Sequence, residues 1–380
     1  MNSRERLTKV LNREIPDHVP VAPDTSNMIP AKLTGKPFWQ LYLYQNPPIW
    51  LAYINCVKHF GFDSLMDGYV PIDFDDIAVQ NGNGDKRETF IVYQNQDRIV
   101  TQDCRTANGK RFWDDQVTVF YRDNPPSHGV DPLKIGLPKE PASFEPVAGV
   151  KEWPRGAELL RLAKREMGGY GLVGVFCGTT KLVHTEDDIY GFHDDPVPFI
   201  ERRDTLLDFF EKKLNRLLSL EDKPDFICVG GSGTLIHQTV ETFRLLGLPI
   251  AQKITRLCKD AGMPTHVHSC GPEKELVKIL AEETDLTVID PLEIPPMGDC
   301  DLKELKTLYG GKLVLKGNLH TSNVMLNGSV QTVIDASKKA IDDAAEGGGF
   351  ILSTGDQCGR DTPEENLFAM IETAQTYGKY

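Results

Sequence analysis

The chain has 380 residues, of which 40% are hydrophobic and 26% are charged, as expected for a globular protein with a large core. Its formal net charge of −13 argues against a nucleic-acid partner, because phosphate binding requires a clustered excess of lysine and arginine. The sequence has no run of eighteen apolar residues and no apolar signal segment at its start, so it predicts a cytoplasmic protein without a membrane partner.

Eight short runs rich in Val, Ile and Leu alternate with helical patterns along the chain. Runs of this kind, bounded by glycine or proline, are typical of buried parallel strands. They are VPVAP from Val19, DSLMDG from Asp63, GLVGVFCG from Gly171, DFICVGG from Asp225, PTHVHSCG from Pro264, LTVIDPLE from Leu286, KLVLKGNLH from Lys312 and GFILSTGDQC from Gly349. Helices predicted between them include residues 205–220, 273–283 and 330–346.

This alternation predicts an α/β fold, a closed (β/α)₈ TIM barrel. A doubly wound open sheet is the competing arrangement. It more often has five or six strands and carries a phosphate-binding glycine loop after the first strand. The first predicted strand is followed instead by PDTSN, which is no such loop.

One segment, residues 86–122, interrupts the strand and helix pattern. Its apolar and polar residues alternate, and Asn108-Gly109 is a turn signal, so the segment predicts antiparallel β-hairpins inserted between strands 2 and 3. Residues 124–154 are rich in proline and glycine and are expected to form an irregular connection to a helix near Ala157. Residues 1–380 are predicted to form a single barrel domain that carries this insertion.

The motif His266-Val267-His268-Ser269-Cys270-Gly271 is the most informative stretch for chemistry. Side chains alternate along a strand, so both histidines and Cys270 are expected to face the barrel interior. Cys358 follows the eighth predicted strand, at the same C-terminal rim. Since cytosolic cysteines stay reduced, His268, Cys270 and Cys358 predict a Zn²⁺ site with a fourth position open for substrate. His266 lies deeper and is interpreted as a supporting or core residue.

Further polar residues are expected at the same rim. Glu293 ends the sixth strand and is a candidate zinc ligand or proton carrier, with a solvated loop acid as the alternative. His320 ends the seventh strand and is the second catalytic candidate. The candidates for orienting the substrate, each of which is alternatively a turn or cap residue, are Asp24, Asn27, Asp67, Tyr69 and Asn318.

Five segments of the chain resemble the uroporphyrinogen decarboxylase superfamily. They are RERLTKVLNREIPDHVPV, DFICVGGSG, HSCG, KGNLHTSNVMLNGS and GGGFILSTGDQC. The resemblance implies a (β/α)₈ barrel. The superfamily contains metal-free decarboxylases and zinc-dependent corrinoid methyltransferases, which include methylcobamide:coenzyme M methyltransferases. In the methyltransferases a His-x-Cys pair and a late cysteine bind the zinc, and His268, Cys270 and Cys358 match that pattern.

The decarboxylases carry an arginine-rich loop after the first strand that holds propionate groups. The corresponding stretch here, VPVAPDTSNMIPAKLTGKP, contains no arginine, so tetrapyrrole carboxylates would lack their partners. The resemblance therefore favours the methyltransferase branch.

The segments PLEIPPMGD and KGNLH resemble superfamily members that demethylate methoxylated aromatic compounds. That resemblance implies transfer of a methyl group from the methyl ether to the Co(I) corrinoid (cobalamin) of a partner protein, a reaction of anaerobic one-carbon metabolism. A methylcorrinoid:thiol methyltransferase of the coenzyme M type is the first alternative. A uroporphyrinogen-type decarboxylase and a barrel with purely structural zinc are the others. A homodimer is left open.

Overall fold

The computed structural model describes residues 1–74, 87–107 and 109–380, which form two compact units. The first unit consists of Met1–Thr25, residues 57–74 and Pro154–Tyr380, and the second of Ser26–Cys56 and the described residues from 87 to 153. Lys86 at the predicted start of the insertion and Asn108 in its predicted turn lie outside the described residues. The single domain over residues 1–380 stays a prediction.

The described part of the chain contains twelve strands and fourteen α-helices. The strands are β1 (Ser64–Met66), β2 (Arg87–Gln94), β3 (Arg98–Ala107), β4 (Lys110–Tyr121), β5 (Ser127–Val130), β6 (Glu145–Pro146), β7 (Gly171–Thr179), β8 (Phe226–Gly230), β9 (Thr265–His268), β10 (Val288–Asp290), β11 (Val314–Leu319) and β12 (Phe350–Thr354). The helices are α1 (Ser3–Leu11), α2 (Met28–Leu33), α3 (Phe38–Tyr42), α4 (Ile49–Phe60), α5 (Gly156–Met167), α6 (Glu186–Asp194), α7 (Val197–Leu218), α8 (Thr234–His237), α9 (Val240–Leu246), α10 (Leu248–Asp260), α11 (Lys274–Glu283), α12 (Leu302–Tyr309), α13 (Val330–Ala344) and α14 (Glu364–Thr376). Within these described residues, every helix is too short or too polar to cross a membrane.

The first unit is a barrel of parallel strands. Seven strands pair in the order β1-β7-β8-β9-β10-β11-β12. Val21 forms a parallel bridge with Leu352 of β12, and its carbonyl accepts the backbone N–H of Asp63, just before β1, at 2.8 Å. The segment around Val21 therefore lies between β12 and β1 and closes the barrel. Each of the eight predicted runs contains one of these strands or the bridge, so the (β/α)₈ prediction is confirmed.

Apolar side chains fill the amino-terminal end of the barrel. Interior positions recur at every second residue of a strand, and the first interior residue of nearly every strand is apolar. Helix α1 covers this layer and begins with a capping box between Asn2 and Glu5. Arg6 of α1 donates to the buried Asp63 carboxylate at 2.7 Å, which anchors the helix. The layer consists of Ala22, Leu65, Leu172, Phe226, Val288, Val314 and Ile351 with Leu7, Val10 and Leu11 of α1.

Gly174 of β7 gives a test of how tightly this end of the barrel is packed. A Cβ atom added there would meet ring carbons of the fully buried Phe226 at 2.5, 2.6 and 2.9 Å. We expect Gly174→Ala to lower the free energy of unfolding by about 1–3 kcal/mol, measured by urea denaturation. Gly311→Ala is the matched control, because a Cβ there has no atom within 4 Å. Equal midpoints for the two variants would contradict the packing argument.

The second unit contains a five-stranded antiparallel sheet in the order β5-β4-β3-β2-β6. Strands β2, β3 and β4 form the predicted hairpins, so the inserted antiparallel region is confirmed. The two edge strands lie in the stretch that was expected to be irregular. The open edges of β2 and β4 offer backbone N–H and C=O groups, and even short proline-rich segments pair with them there.

Candidate metal centre

The predicted zinc ligands lie on segments that leave the C-terminal rim of the barrel. His268 is the last residue of β9, Cys270 follows it by two residues, and Cys358 follows the end of β12 by four. Because the strands are parallel, their C-terminal ends share one rim. The backbone N–H of Cys358 donates to the carbonyl of Asp24 at 2.8 Å, which joins the loop after β12 to the end of the first barrel segment.

The His268 imidazole has carboxylate neighbours on both of its nitrogens. Its Nδ1 lies 3.1 Å from Oδ1 of Asp290, within hydrogen-bond distance. Its Nε2 lies 3.7 Å from Oδ1 of Asp356, which is longer than a hydrogen bond. The ring also forms a side-chain hydrogen bond with Cys270. His268 is thus held on its Nδ1 side and faces the rim.

The two cysteines have different surroundings. Cys270 is partly exposed, with its Sγ 3.1 Å from Oγ of Ser232, and the hydrogen bond with His268 is the main reason that its thiol pKa is lowered. Cys358 is fully buried, and burial raises the pKa of its thiol to about 12. A thiol in that state keeps its proton until a metal ion displaces it.

Two carboxylates act on this group of side chains. Burial opposes the charge on His268, but Asp290 and, more weakly, Asp24 raise the pKa of its imidazole. Burial and the negative charge of Asp24 raise the pKa of the Cys358 thiol, and Asp356 adds to this effect. At Cys270, the charge of Asp356 works against the net lowering of the thiol pKa. Asp356 has a φ of 115°, a conformation that residues other than glycine rarely adopt. Thr354 holds it there by donating its hydroxyl to the Asp356 carbonyl at 2.8 Å. Such backbone strain is concentrated at functional sites.

Below the rim, the barrel interior holds a network of buried charged side chains. Nε2 of His266 lies 2.9 Å from Asp290 Oδ1, and its Nδ1 lies 3.1 Å from Asp67 Oδ2. Lys316 of β11 donates to the other oxygen of Asp290. Burial opposes the charge on His266, but the two carboxylates outweigh it and raise its pKa to about 9. Burial likewise opposes the charge on Asp290, but Lys316 and the two imidazoles hold the pKa of that carboxyl well below its usual range.

A second set of side chains of the kinds that bind metal ions lies in this network. In the part of the chain that the structure describes, the group of three whose donor atoms all lie within 4.8 Å of one another is Asp67, Cys228 and His266. His268, Cys270 and Cys358 do not form so close a group. Both ring nitrogens of His266, however, are already within hydrogen-bond distance of carboxylates.

The sequence reasoning did not single out Cys228, Asp290, Lys316 or Asp356. The alternation of interior and exterior positions along a strand is the sequence signal that could have identified the first three. Cys228 lies two residues after the interior Phe226, Asp290 two after Val288, and Lys316 two after Val314, so each falls on an interior position. The loop position of Asp356 carries no such periodic signal.

Glu293 binds the loop that carries Cys270. Its carboxylate accepts the backbone N–H of Gly271 at 2.5 Å, and in return the Glu273 carboxylate accepts the N–H of Leu292 at 2.8 Å. Gly271 has a φ of +93°, and a Cβ there would lie 2.8 Å from the Ile236 side chain, so this position requires glycine. Burial raises the pKa of the Glu293 carboxyl above its ordinary value. The two loops after β9 and β10 are therefore held together from both sides.

Glu293, Asn318 and His320 are brought together at one small cavity of about 10 Å³, which is also lined by Ile294, Met297, Thr321 and Gly355. The Asn318 amide is nearly buried and donates to the Leu292 carbonyl at 3.0 Å. Nδ1 of His320 accepts two backbone N–H groups, each at 3.1 Å, at the start of the π-helix Thr321–Leu326. Both side chains therefore have local structural partners.

The remaining substrate candidates lie on other segments of the chain. Asp24 ends the first barrel segment beside Cys358, and Tyr69 follows β1 as a partly exposed residue. Asp67, also after β1, belongs to the buried network. Asn27 immediately precedes α2 in the second unit.

The first unit is thus an α/β barrel with a polar, thiol-containing site at its C-terminal rim. Residues 220–377 match the family model described as Uroporphyrinogen decarboxylase (URO-D). The match covers less than half of the chain, and it confirms the resemblance to this family found in the sequence. It runs from just before β8 to the end of α14, and therefore includes all three predicted zinc ligands.

Two individual proteins are similar to the chain. Methylcobamide:CoM methyltransferase MtbA of Methanosarcina mazei is 30% identical over 139 residues, which cover 36% of this chain and 37% of that protein. The match thus spans just over a third of that relative's length. A solved structure, a methyltransferase from Methanosarcina mazei, superimposes with a TM-score of 0.62 at 14% identity and covers 99% of both chains. At that identity, the likeness supports the barrel fold alone.

Proposed function

We propose that this protein is a zinc-dependent methyltransferase that transfers a methyl group from a methoxylated aromatic compound to the Co(I) corrinoid of a partner protein. The observation that carries the proposal is the His268 and Cys270 pair at the barrel rim, within the segment that matches the uroporphyrinogen decarboxylase family. A relative that is 30% identical over 139 residues is named for methyl transfer with a methylcobamide, which supports the corrinoid partner.

The donor set fits Zn²⁺, because one imidazole and two thiols are ligands that zinc prefers. His268, Cys270 and Cys358 would hold the ion. The carboxylates that these ligands share as neighbours support their convergence on one ion. Asp24 interacts electrostatically with His268 and Cys358, and Asp356 with both cysteines. When bound, zinc supplies Lewis acidity to the ether oxygen of the substrate, or to a thiol in the alternative reaction.

Side chains of this protein would supply the proton for the leaving group and contact the aromatic ring of the substrate. Glu293 and His320 line one cavity beside the rim, and either is a candidate to protonate the departing phenolate. Phe176 of β7, Ile236 of α8 and Met297 after β10 are 44%, 53% and 60% exposed, respectively. Exposed apolar groups on rim segments suit an aromatic substrate better than a small polar thiol.

The second candidate is a methylcorrinoid:thiol methyltransferase. The name of the curated relative, a methylcobamide:CoM methyltransferase, is the observation that favours it. Both reactions use the same ligands, but in the second the thiol would be the methyl acceptor and the methylcorrinoid the donor. The decarboxylase alternative is disfavoured by the lack of arginine after the first strand.

A metal analysis combined with a methyl-donor screen tests the proposal. We expect about one zinc per chain, as in other mononuclear catalytic sites, and phenol release from methoxylated aromatics that requires a Co(I) corrinoid protein. The control reaction contains the oxidised corrinoid protein and should release no phenol. Methylation of a thiol from methylcorrinoid, without phenol release, would replace the proposal by its alternative. Full turnover in zinc-free protein would reject both.

A further inference from the structure

We infer that Asp290 is a positioning residue, which fixes the His268 ring with its Nδ1–H toward the barrel interior and thereby makes Nε2 the metal-binding nitrogen. The inference rests on the proposed function, because it concerns how this chain would present a ligand to zinc. It gives a role to the buried charged side chains beneath the rim, which take no direct part in the methyl transfer.

The distances from the two ring nitrogens of His268 to neighbouring carboxylates indicate which nitrogen bears the proton. Its Nδ1 lies 3.1 Å from Oδ1 of Asp290, whereas its Nε2 is 3.7 Å from the nearest carboxylate oxygen of Asp356. An ionised carboxylate only accepts hydrogen bonds, so the proton of a neutral His268 ring belongs on Nδ1. The lone pair of Nε2 is then directed to the side where the metal ion would bind. Histidine ligands commonly have their other nitrogen fixed by a carboxylate in this way.

The position of Asp290 is itself fixed by three donors. Oδ1 is shared between His268 and Nε2 of His266, and Oδ2 accepts the ammonium of Lys316. His266 is held in turn by Asp67, 3.1 Å from its Nδ1. Asp290, His266 and Lys316 are each less than a tenth exposed. A carboxylate with so many partners has little freedom to rotate, so it holds one acceptor atom in place for His268.

Stability alone does not explain why these residues occupy the barrel interior. A TIM barrel usually fills such positions with branched apolar side chains. Replacing buried ion pairs by apolar residues of similar size is often neutral or stabilising, because desolvation offsets the attraction between the charges. The network lies directly beneath the predicted ligand His268, and its central carboxylate touches that ligand. A role in orienting His268 accounts both for the charged side chains in the barrel interior and for the contact between Asp290 and His268.

The zinc affinity of Asp290→Asn tests this inference, with the dissociation constant measured by chelator competition. We expect the dissociation constant for zinc to rise about 10- to 100-fold, which is the usual effect of removing such a partner of a metal ligand. Asp225→Asn is the matched control, because Asp225 is also a buried acid paired with two cations, Arg4 and Lys164, but lies just before β8 at the other end of the barrel. Its zinc affinity should equal that of the unchanged protein.

Unaltered affinity in Asp290→Asn, or an equal loss in Asp225→Asn, would overturn the inference. If the unchanged protein binds no zinc, the proposed function fails instead, and the two failures are therefore distinguishable. The nitrogen-15 spectrum of the histidine rings in the zinc-loaded unchanged protein needs no variant to fold. It should show His268 with its proton on Nδ1 and the metal on Nε2. Metal binding through Nδ1 would contradict the role of Asp290.

Discussion

Replacing Cys358 by alanine is expected to leave the protein folded but without zinc, and to slow methyl transfer by more than about 100-fold. Even the outer partners of metal ligands are worth about 10- to 100-fold in affinity or activity, and a direct ligand should exceed that. Cys270→Ala should behave in the same way, since either change leaves two protein ligands. Metal content after dialysis and single-turnover methyl transfer to the Co(I) corrinoid protein are the measurements.

Cys228→Ala is the matched control for both changes. Cys228 is a buried thiol on an interior position of β8, and it belongs to the close group with Asp67 and His266. We expect this variant to keep its zinc. Zinc retained in Cys358→Ala but lost in Cys228→Ala would move the metal ion to that deeper group and refute the predicted ligand set.

The second large effect is expected at Lys316. Its ammonium pairs with Asp290 in the barrel interior, where both side chains are less than a tenth exposed. Removing one partner of a buried ion pair leaves the other charge uncompensated, which commonly costs about 3–5 kcal/mol. We therefore expect Lys316→Met to lower the free energy of unfolding by an amount in that range, measured by urea denaturation.

Lys278→Met provides the comparison at the surface. Lys278 and Glu275 on α11 lie 3.5 Å apart, and both side chains are about half exposed. Pairs of this kind contribute about 0–1 kcal/mol, because water screens them and their side chains are mobile. If the two lysine variants unfold at the same urea concentration, Lys316 does not stabilise the barrel through Asp290.

The arrangement of the barrel was readable from local patterns. Each strand is a short apolar run ended by glycine, proline or a polar residue, and GFILSTGDQC and DFICVGG illustrate the pattern. The hairpins of the second unit were equally visible from alternation. The edge strands β5 and β6 were not, because their sequence favours no strand by itself and they form only where another strand offers an open edge.

The candidate site was only partly readable. His268 and Cys270 form a local motif, and Cys358 was added because parallel strands end at one rim. Asn318 and His320 were chosen by their position at a strand end, but position does not reveal that a side chain already binds a backbone group, as both of these do. The roles of Glu293 and Gly271 depend on a contact between two loops that are far apart in the chain.

By itself, the sequence determined the strand and helix order, the antiparallel insertion, the family resemblance and the candidate ligands, because each is recorded in a local pattern or a short motif. The tertiary structure alone decided that Asp67, His266, Asp290 and Lys316 form one buried network beneath His268. These residues come from four different strands or strand ends. Their charges meet only when the barrel closes, and burial then makes each one depend on its neighbours.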